Sequence, residues 1–434
     1  MLKFGTDGIR GIIDKELDKE TIFSIGKALS KKVKNAKILL AKDNRVSSEY
    51  VALLFSSGVI SYGGTVTDIG YISTPAVSYT TNNFKCNYAV MISASHNTPE
   101  YNGIKIFNSY GTKLNSEEEK ELELLMSDKE DSPNNFGKYR VAVNLKKYYI
   151  EYLKKIVPFM PDDKIMIDTS NGVTSYYAQG ILSLTGAKIF PINNSFDGKI
   201  INKDAGILNP DILLKEKNKN KCDYAIALDG DGDRVFIIDK YNNILDGDYI
   251  LYFLSHYYKK YKKINGVVGT IQTNLGIEKA LNSLGINLYR SDVGDKNLIK
   301  LMNEKKLILG AEQSGHIIIK DYLNTGDGLL SALIVLGIIK QYEKNGEYLK
   351  IFNQIKITPQ INLNYSFKND NILQLKNVQD FIANEQKFNS VNYRIIVRKS
   401  GSERKVRITV EGLDKIVAEN IATKIYNFIS NADL

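Results

Sequence analysis

At roughly 150 residues per domain, a chain of 434 residues is too long for one compact core and reads as about three domains, with four small ones equally allowed. Its 43% hydrophobic and 25% charged residues form a globular mix that excludes disorder and fibrous architectures. The formal charge of +9 invites an acidic partner, a nucleic acid or a phosphorylated metabolite, but no tract clusters Lys and Arg with interleaved aromatics, so no nucleic acid is expected. The longest apolar run, Gly328 to Ile339, falls short of the ~18 residues a membrane span needs. It is expected to be a buried helix, and no membrane partner is expected. The opening MLKFGTDGIRG has no apolar signal region, and Cys86 and Cys222 alone cannot build a disulfide framework or a thiolate metal cluster, which fits a cytoplasmic location.

From the N-terminus, KILLAK (37–42) predicts a strand, the stretch from Glu49 a helix, and GTVTDIG and YAVMISAS two more strands. That alternation is the rhythm of βαβ units around a parallel sheet. Ser116 with Glu119 three residues on predicts a capping box, and SDKEDSPNNFG (127–137) a loop near a boundary. KIMID (164–168), AKIFPI (187–192) and DYAIAL (223–228) predict the strands of a second α/β unit; VVGTI (267–271), NLYR (287–290) and LILG (307–310) predict those of a third. No fixed repeat period links the three, so their likeness rests on rhythm. YRIIVRKS and KVRITVEG then predict a strand pair around a short basic loop, followed by the amphipathic helix DKIVAENIATKIYNFIS, a small α+β domain.

Four loops carry chemistry. In ISASHNTPEYNGIKIF, Ser95 falls just past an apolar strand, where open α/β sheets place ligands, with His96, Asn97, a glycine turn at Gly103 and Lys105 following. Serine is a weak nucleophile that needs a base, a metal or prior covalent modification, and an ordinary Ser/Asn turn reads the same stretch equally well. In DGDGDR, Asp229, Asp231 and Asp233 alternate with glycines, and three converging carboxylates call for a hard divalent cation. A calcium loop would need glycine at its sixth position and glutamate at its twelfth; Arg234 and Lys240 stand there, which favours Mg²⁺. A solvated acidic turn is the alternative. LGAEQSGHIII sets Glu312, Ser314 and His316 on one tight turn, groups that read sugar hydroxyls, although His316 could equally be a core histidine. RKSGSERKVR, with Arg398, Ser400, Gly401, Ser402 and Arg407, suits an anion nest for a phosphate dianion, or else a hairpin tip with surface arginines.

Together, FGTDGIRG, ISASHN, DGDGDR, EQSGH and RKSGSE, in that order from residue 4 to beyond 407, resemble the α-D-phosphohexomutase superfamily, and within it the branch acting on glucosamine phosphates. The resemblance implies an α/β fold of three related α/β domains with mixed sheets plus a C-terminal α+β domain, four domains around a central cleft. Their limits are expected at 1–146, 147–246, 247–357 and 358–434. It implies that Ser95 is phosphorylated and carries the phosphoryl group, and that Asp229, Asp231, Asp233 and the phosphoserine hold one Mg²⁺. It places Arg10 and Lys105 at the transfer site, with Lys105 as general base and His316 as a second acid or base. His96, Arg234, Glu312 and Ser314 are expected on the substrate, and Arg398, Ser400, Gly401, Ser402 and Arg407 on its distal phosphate. The expected partner is a phosphorylated hexosamine, with room for a homodimer.

The sequence also departs from the family pattern. Thr98 precedes Pro99 where proline should follow the His-Asn pair directly, Lys399 and Arg404 replace prolines of the fourth loop, and Lys296 replaces an arginine. Members acting on mannose and glucose phosphates are the alternative reading. A hydrolase using the same serine and metal would not need a sugar loop and a phosphate clamp, and a non-catalytic sensor would not need Ser95, Lys105 and the aspartates together.

Overall fold

The computed structural model describes all residues except 1–3, Thr6, 129–134, Lys263, Val391, 401–403 and Leu434. Part of the loop expected at 127–137, and Gly401 and Ser402 of the fourth loop, lie outside the described residues.

The first sheet contains β1 (Ile9–Ile12), β2 (Lys37–Lys42), β3 (Thr65–Tyr71), β4 (Tyr88–Ile92), β5 (Tyr101–Asn108) and β6 (Lys138–Val141), in the order β1-β5-β4-β2-β3-β6. The second contains β7 (Lys164–Asp168), β8 (Lys188–Ile192), β9 (Tyr224–Leu228), β10 (Val235–Ile238) and β11 (Ile244–Leu245), in the order β11-β10-β9-β7-β8. The third contains β12 (Gly266–Thr270), β13 (Asn287–Ser291), β14 (Leu309–Ala311) and β15 (Ile317–Ile319), in the order β13-β12-β14-β15.

One plan underlies all three. A first strand lies parallel to the second on one side and to the third on the other, and a fourth strand returns antiparallel beside the third. The third strands YAVMI, YAIAL and LGA are buried along their whole length, which explains why they read as unbroken apolar runs rather than as an alternation. The connection from third to fourth strand is the serine loop in the first sheet, the aspartate loop in the second and the sugar loop in the third. The rhythm read from the sequence is thus a threefold recurrence of topology, with chemistry at equivalent corners.

A fourth sheet, β16 (Gln360–Ser366), β17 (Tyr393–Lys399) and β18 (Lys405–Gly412), is antiparallel in the order β16-β18-β17. The helix Lys415–Ala432 covers it, with Val406, Ile408 and Val410 packed against Ala418, Ala422, Ile425 and Ile429 in a core separate from the rest. The apolar run from Gly328 is a buried helix, Gly328–Lys344, capped by Asp327, whose side chain accepts from the Leu330 amide at 3.0 Å. Among the described residues no helix is long and apolar enough to cross a membrane.

Two local expectations are corrected. The capping box forms one residue earlier, with Asn115 as the cap and Glu118 reaching back to it; Glu119 is left to pair with Lys296 instead. Gly103 is not a turn but lies inside β5, opposite Arg10 of β1. A Cβ there would stand 2.7 Å from the Ser93 carbonyl oxygen and 2.8 Å from that of Ile9, so close packing against both flanking strands requires the glycine. FGTDGIRG, read only as a motif, supplies the edge strand β1.

Candidate active site

Ser95 is fully buried at the start of the serine loop with φ of 52°, the left-handed region that side chains other than glycine seldom adopt. Its hydroxyl donates to Asp229 Oδ2 at 2.8 Å, and His96 Nδ1 lies 3.4 Å from the same oxygen. The aspartate loop sits against it from the second domain. Asp229 Oδ1 accepts from the Arg234 amide at 3.1 Å, which curls the loop so that its three carboxylates turn inward. Lys105, on β5 and fully buried, donates to Asp231 at 2.7 Å and to Asp233 at 2.9 Å, and lies 3.2 Å from Asp7. Asp7 also pairs with Arg10 and with Lys113, and Lys113 pairs in turn with Asp295 of the third domain. Arg10 further donates to Asn97 Oδ1 at 3.2 Å.

The aspartates meet the test of a cation site. Each offers a ligand oxygen within 4.8 Å of the others, and Asp231 Oδ1 and Asp233 Oδ1 are buried without a hydrogen-bond partner. An all-oxygen donor set left short of partners suits a hard divalent ion. Electrostatics point the same way. Burial, reinforced by Asp233 and Asp231, pushes the Asp229 carboxyl well above the usual range. Burial and Asp233 press on Asp231 too, but Lys105 and the Thr74 hydroxyl hold it below its ordinary value. Asp233 is held well below despite burial, by Lys105 and His316. One of the three thus pays for the crowding, and a bound cation relieves it.

The basic groups are tuned as well. Burial would lower Lys105, but Asp231 and Asp233 outweigh it and raise the amine, so it stands as an ammonium donor. The Arg234 charge, then burial and Arg10, hold His96 down to about 2, so its imidazole is neutral. His316 is buried, with Nε2 accepting from the Gly326 amide at 3.1 Å and Nδ1 3.8 Å from Asp233 Oδ1. The backbone bond fixes the tautomer and turns the ring's N–H to a loop carboxylate.

Glu312 and Ser314 form the neighbouring wall. Ser314 Oγ donates to Glu312 Oε2 at 3.3 Å, and the Gly294 amide donates to Oε1 at 3.2 Å. Arg398 and Arg407 face each other across β17 and β18. Burial and the Arg407 charge lower the Arg398 guanidinium, while Asp292 and Glu312 pull it the other way. The Ser400 amide donates to the Lys405 carbonyl at 2.7 Å at the hairpin's base. Arg10, Ser95, His96, Lys105, the three aspartates, Arg234 and His316 share one buried to half-buried cluster, with Glu312 and Ser314 on the loop that carries His316, while Arg398 and Arg407 pair on the fourth sheet.

Several participants went unread in the sequence. Asp7 and Lys113 lie inside or beside quoted motifs, and Asp43 and Arg45 directly follow KILLAK, at the same sheet edge as Ser95. A polar pair there was a readable signal. Asn202 carried none.

Comparison with known proteins agrees with this geometry. Residues 1–132, 147–242 and 246–354 match, respectively, α/β/α domains I, II and III of the phosphoglucomutase/phosphomannomutase family. The phosphoglucosamine mutase of Clostridium botulinum (strain Alaska E43 / Type E3) is 36% identical over 442 residues, covering 98% of each chain. That of Dictyoglomus turgidum is 37% identical over 445 residues, covering 99% of each. In fold, the chain resembles a phosphoglucomutase/phosphomannomutase family protein of Burkholderia thailandensis, with TM-score 0.85 at 19% identity, covering 100% of this chain and 98% of the other. It also resembles the Aspergillus fumigatus N-acetylphosphoglucosamine mutase solved with GlcNAc-6P and magnesium, with TM-score 0.68 at 18% identity, covering 100% and 96%. Three matched domains in order and relatives alike along nearly their whole length leave one assignment: the chain belongs to the phosphohexomutases, and among them to the phosphoglucosamine mutase family.

Proposed function

We propose that the chain interconverts glucosamine 6-phosphate and glucosamine 1-phosphate through a phosphorylated Ser95 and a bisphosphorylated sugar, as an intramolecular phosphotransferase supplying UDP-N-acetylglucosamine synthesis. The observation that carries this reading is the buried Ser95 hydroxyl donating to Asp229 within a ring of carboxylates closed by Lys105.

The two hydroxyls lie at opposite ends of the hexose, so phospho-Ser95 gives its phosphoryl group to the free hydroxyl, the bisphosphorylated sugar turns round, and its other phosphate returns to Ser95. Asp229, Asp231, Asp233 and the phosphoserine would hold one Mg²⁺, which when bound offsets negative charge on the transferring group. Arg10 and Lys105 supply fixed positive charge to the same group from a water-poor site, the main contribution protein side chains make to phosphoryl transfer. His316, with Nδ1 3.8 Å from Asp233 and Nε2 accepting from the Gly326 amide, is the candidate for a second acid or base. Neutral His96 and Arg234 line the approach to Ser95; Glu312 and Ser314 accept and donate to the sugar hydroxyls. Arg398 and Arg407, with Ser400, Gly401 and Ser402, grip whichever phosphate is not reacting. We place the domain limits at 146/147, 246/247 and 357/358, which fall after β6, after β11 and before β16. Action in the cytoplasm completes the reading, in keeping with free Cys86 and Cys222.

Initial rates of the phosphorylated enzyme on glucosamine 6-phosphate, glucose phosphates and mannose phosphates test the substrate. Glucosamine 6-phosphate is expected to exceed the others by at least about tenfold in kcat/KM, the discrimination a site gains from one well-read polar group. Faster turnover of mannose or glucose phosphate would shift the function to the phosphomannomutase/phosphoglucomutase branch.

A further inference from the structure

Arg45 is a fully buried guanidinium all of whose N–H groups are spent on one task. Its Nε donates to Asp43 at 2.9 Å, and Asp43 is itself held by the Ser48 hydroxyl at 2.7 Å. The other two nitrogens donate to four backbone carbonyls of the serine loop: Ser95 at 3.0 Å, Asn97 at 2.7 Å, Thr98 at 2.5 Å and Tyr101 at 3.0 Å. From the second domain, Asn202 Nδ2 donates to two of the same carbonyls, Ser95 at 2.8 Å and Asn97 at 2.9 Å. The carbonyls bracketing His96 are therefore each held twice, once from either domain.

This grip has a mechanical consequence. Ser95 sits at a φ of 52°, which relaxation of the loop would abandon, and the direction of its hydroxyl toward Asp229 depends on that conformation. The two domains cannot slide past each other here. Asn44 Nδ2 donates to the Asn171 carbonyl at 2.7 Å, and a Cβ on Gly198 would stand 1.8 Å from the Asn44 carbonyl oxygen, so the backbones are in direct contact. The Thr74 amide donates to the Asp231 carbonyl at 2.9 Å, joining the first domain to the aspartate loop.

We propose that Arg45 and Asn202 are positioning residues that clamp the serine loop from two domains and fix the line along which Ser95 accepts and donates the phosphoryl group. The proposal rests on the reading of Ser95 as the phosphoryl carrier. Through Asn202 the second domain, which supplies the aspartates, also aims the serine, so carrier and charge site keep one geometry.

Arg45→Ala would strand buried Asp43, so Asn202 is the sharper probe. Asn202 has φ of 61°, which glycine adopts freely, so Asn202→Gly removes the two bonds with the backbone intact. Asn202→Asp sets an anionic oxygen against two carbonyl oxygens. Both variants are assayed with glucosamine 6-phosphate beside wild type, with intact-protein mass spectrometry for phosphate on Ser95, ³¹P NMR of the phosphoserine and thermal unfolding. Asn202→Gly is expected to lower kcat by about 10- to 100-fold, with KM within about threefold and a shifted or broadened ³¹P resonance, and Asn202→Asp to fall further. Wild-type kcat in Asn202→Gly, or losses confined to KM, overturns the clamp while leaving the phosphoserine reading intact. Wild-type turnover without phosphate ever appearing on Ser95 overturns both.

Discussion

The serine loop and the phosphate hairpin between β17 and β18 are both polar connections at the ends of strands, yet they are held in opposite ways. Ser95, Lys105, Asp229 and Asp231 are wholly buried, and their partners come from two domains. In the hairpin Arg398 and Arg407 are half-buried, but the charges beside them stand in water: Lys399 is 46% exposed, Arg404 66% and their shared partner Asp370 65%. The fourth domain has its own core and meets the third through polar contacts, among them Glu411 accepting from the Leu275 amide at 2.6 Å and Arg394 donating to the Thr273 carbonyl at 2.7 Å. The difference follows the chemistry. A group that transfers phosphate must keep one line of approach, whereas a group that grips either phosphate of a sugar that turns round has to tolerate two poses.

The rigid side should be the more fragile in function. Ser95→Ala removes the carrier without removing packing, so turnover is expected to fall by at least ~10³-fold with a near-unchanged melting temperature. Intact mass should show a phosphate-sized addition on wild type that the variant lacks. Equal rates in the two proteins would take Ser95 out of the mechanism.

Next in size is the aspartate loop. Asp231→Asn keeps the shape but removes a carboxylate that holds Lys105 and leaves one oxygen free for a cation, and is expected to cost about 10²- to 10³-fold in rate. The protein should stay folded, since Lys105 keeps Asp233 and Asp7 as partners. Chelation of wild type should stop turnover, Mg²⁺ should restore it, and Ca²⁺, with its looser coordination, should restore little. A rate indifferent to chelation would refute the cation site.

These two sides were also unequally legible in the sequence. The third strand of each α/β unit, buried on both faces, announced itself as an apolar run, and the residues just past it carried the chemistry, so Ser95, Asp229 and Glu312 could be placed from spacing alone. The fourth strands were harder to see. β5 begins inside the serine loop and contains Gly103, which in sequence mimics a turn and in the structure permits close packing. The clamp was invisible for a different reason. Arg45 and Asn202 act on backbone carbonyls remote in sequence, and a carbonyl carries no residue identity to pair with. The cap falls at Asn115 rather than Ser116 although both residues suit the role and each has a glutamate three residues on; in the structure Glu118 closes the box and Glu119 pairs with Lys296.

On the adaptable side, effects should be graded. Arg398→Ala removes a charge-assisted and in part bidentate grip on the distal phosphate, about 1.5 to 3 kcal/mol, or roughly ten- to a hundredfold in affinity. Because the same loop must hold both poses, the variant should also leak the bisphosphorylated intermediate and depend more on added bisphosphate. Product analysis by ³¹P NMR would detect the leak; unchanged affinity without leakage would reduce the hairpin to a surface feature.

The smallest effect tests what replaces the missing prolines. Proline on either side of the hairpin would restrict φ and stiffen its base. Here Lys399 Nζ lies 2.9 Å from the Asp370 carbonyl oxygen, and Arg404 lies 3.2 Å from the Asp370 carboxylate. Both cations cover the Phe367 ring, at 4.6 Å and 5.6 Å from its centroid. Charge thus does in part what ring closure would do, but from an exposed position, where such pairs contribute about 0 to 1 kcal/mol and are screened by salt. Asp370→Asn is therefore expected to raise KM by only about two- to fivefold at low ionic strength, with kcat nearly unchanged. In roughly 0.5 M salt the two proteins should converge, because screening weakens in wild type what the substitution removes. A KM difference that persists at high salt would mean that the carboxylate acts through a buried contact, and the hairpin would then belong with the rigid half of the molecule.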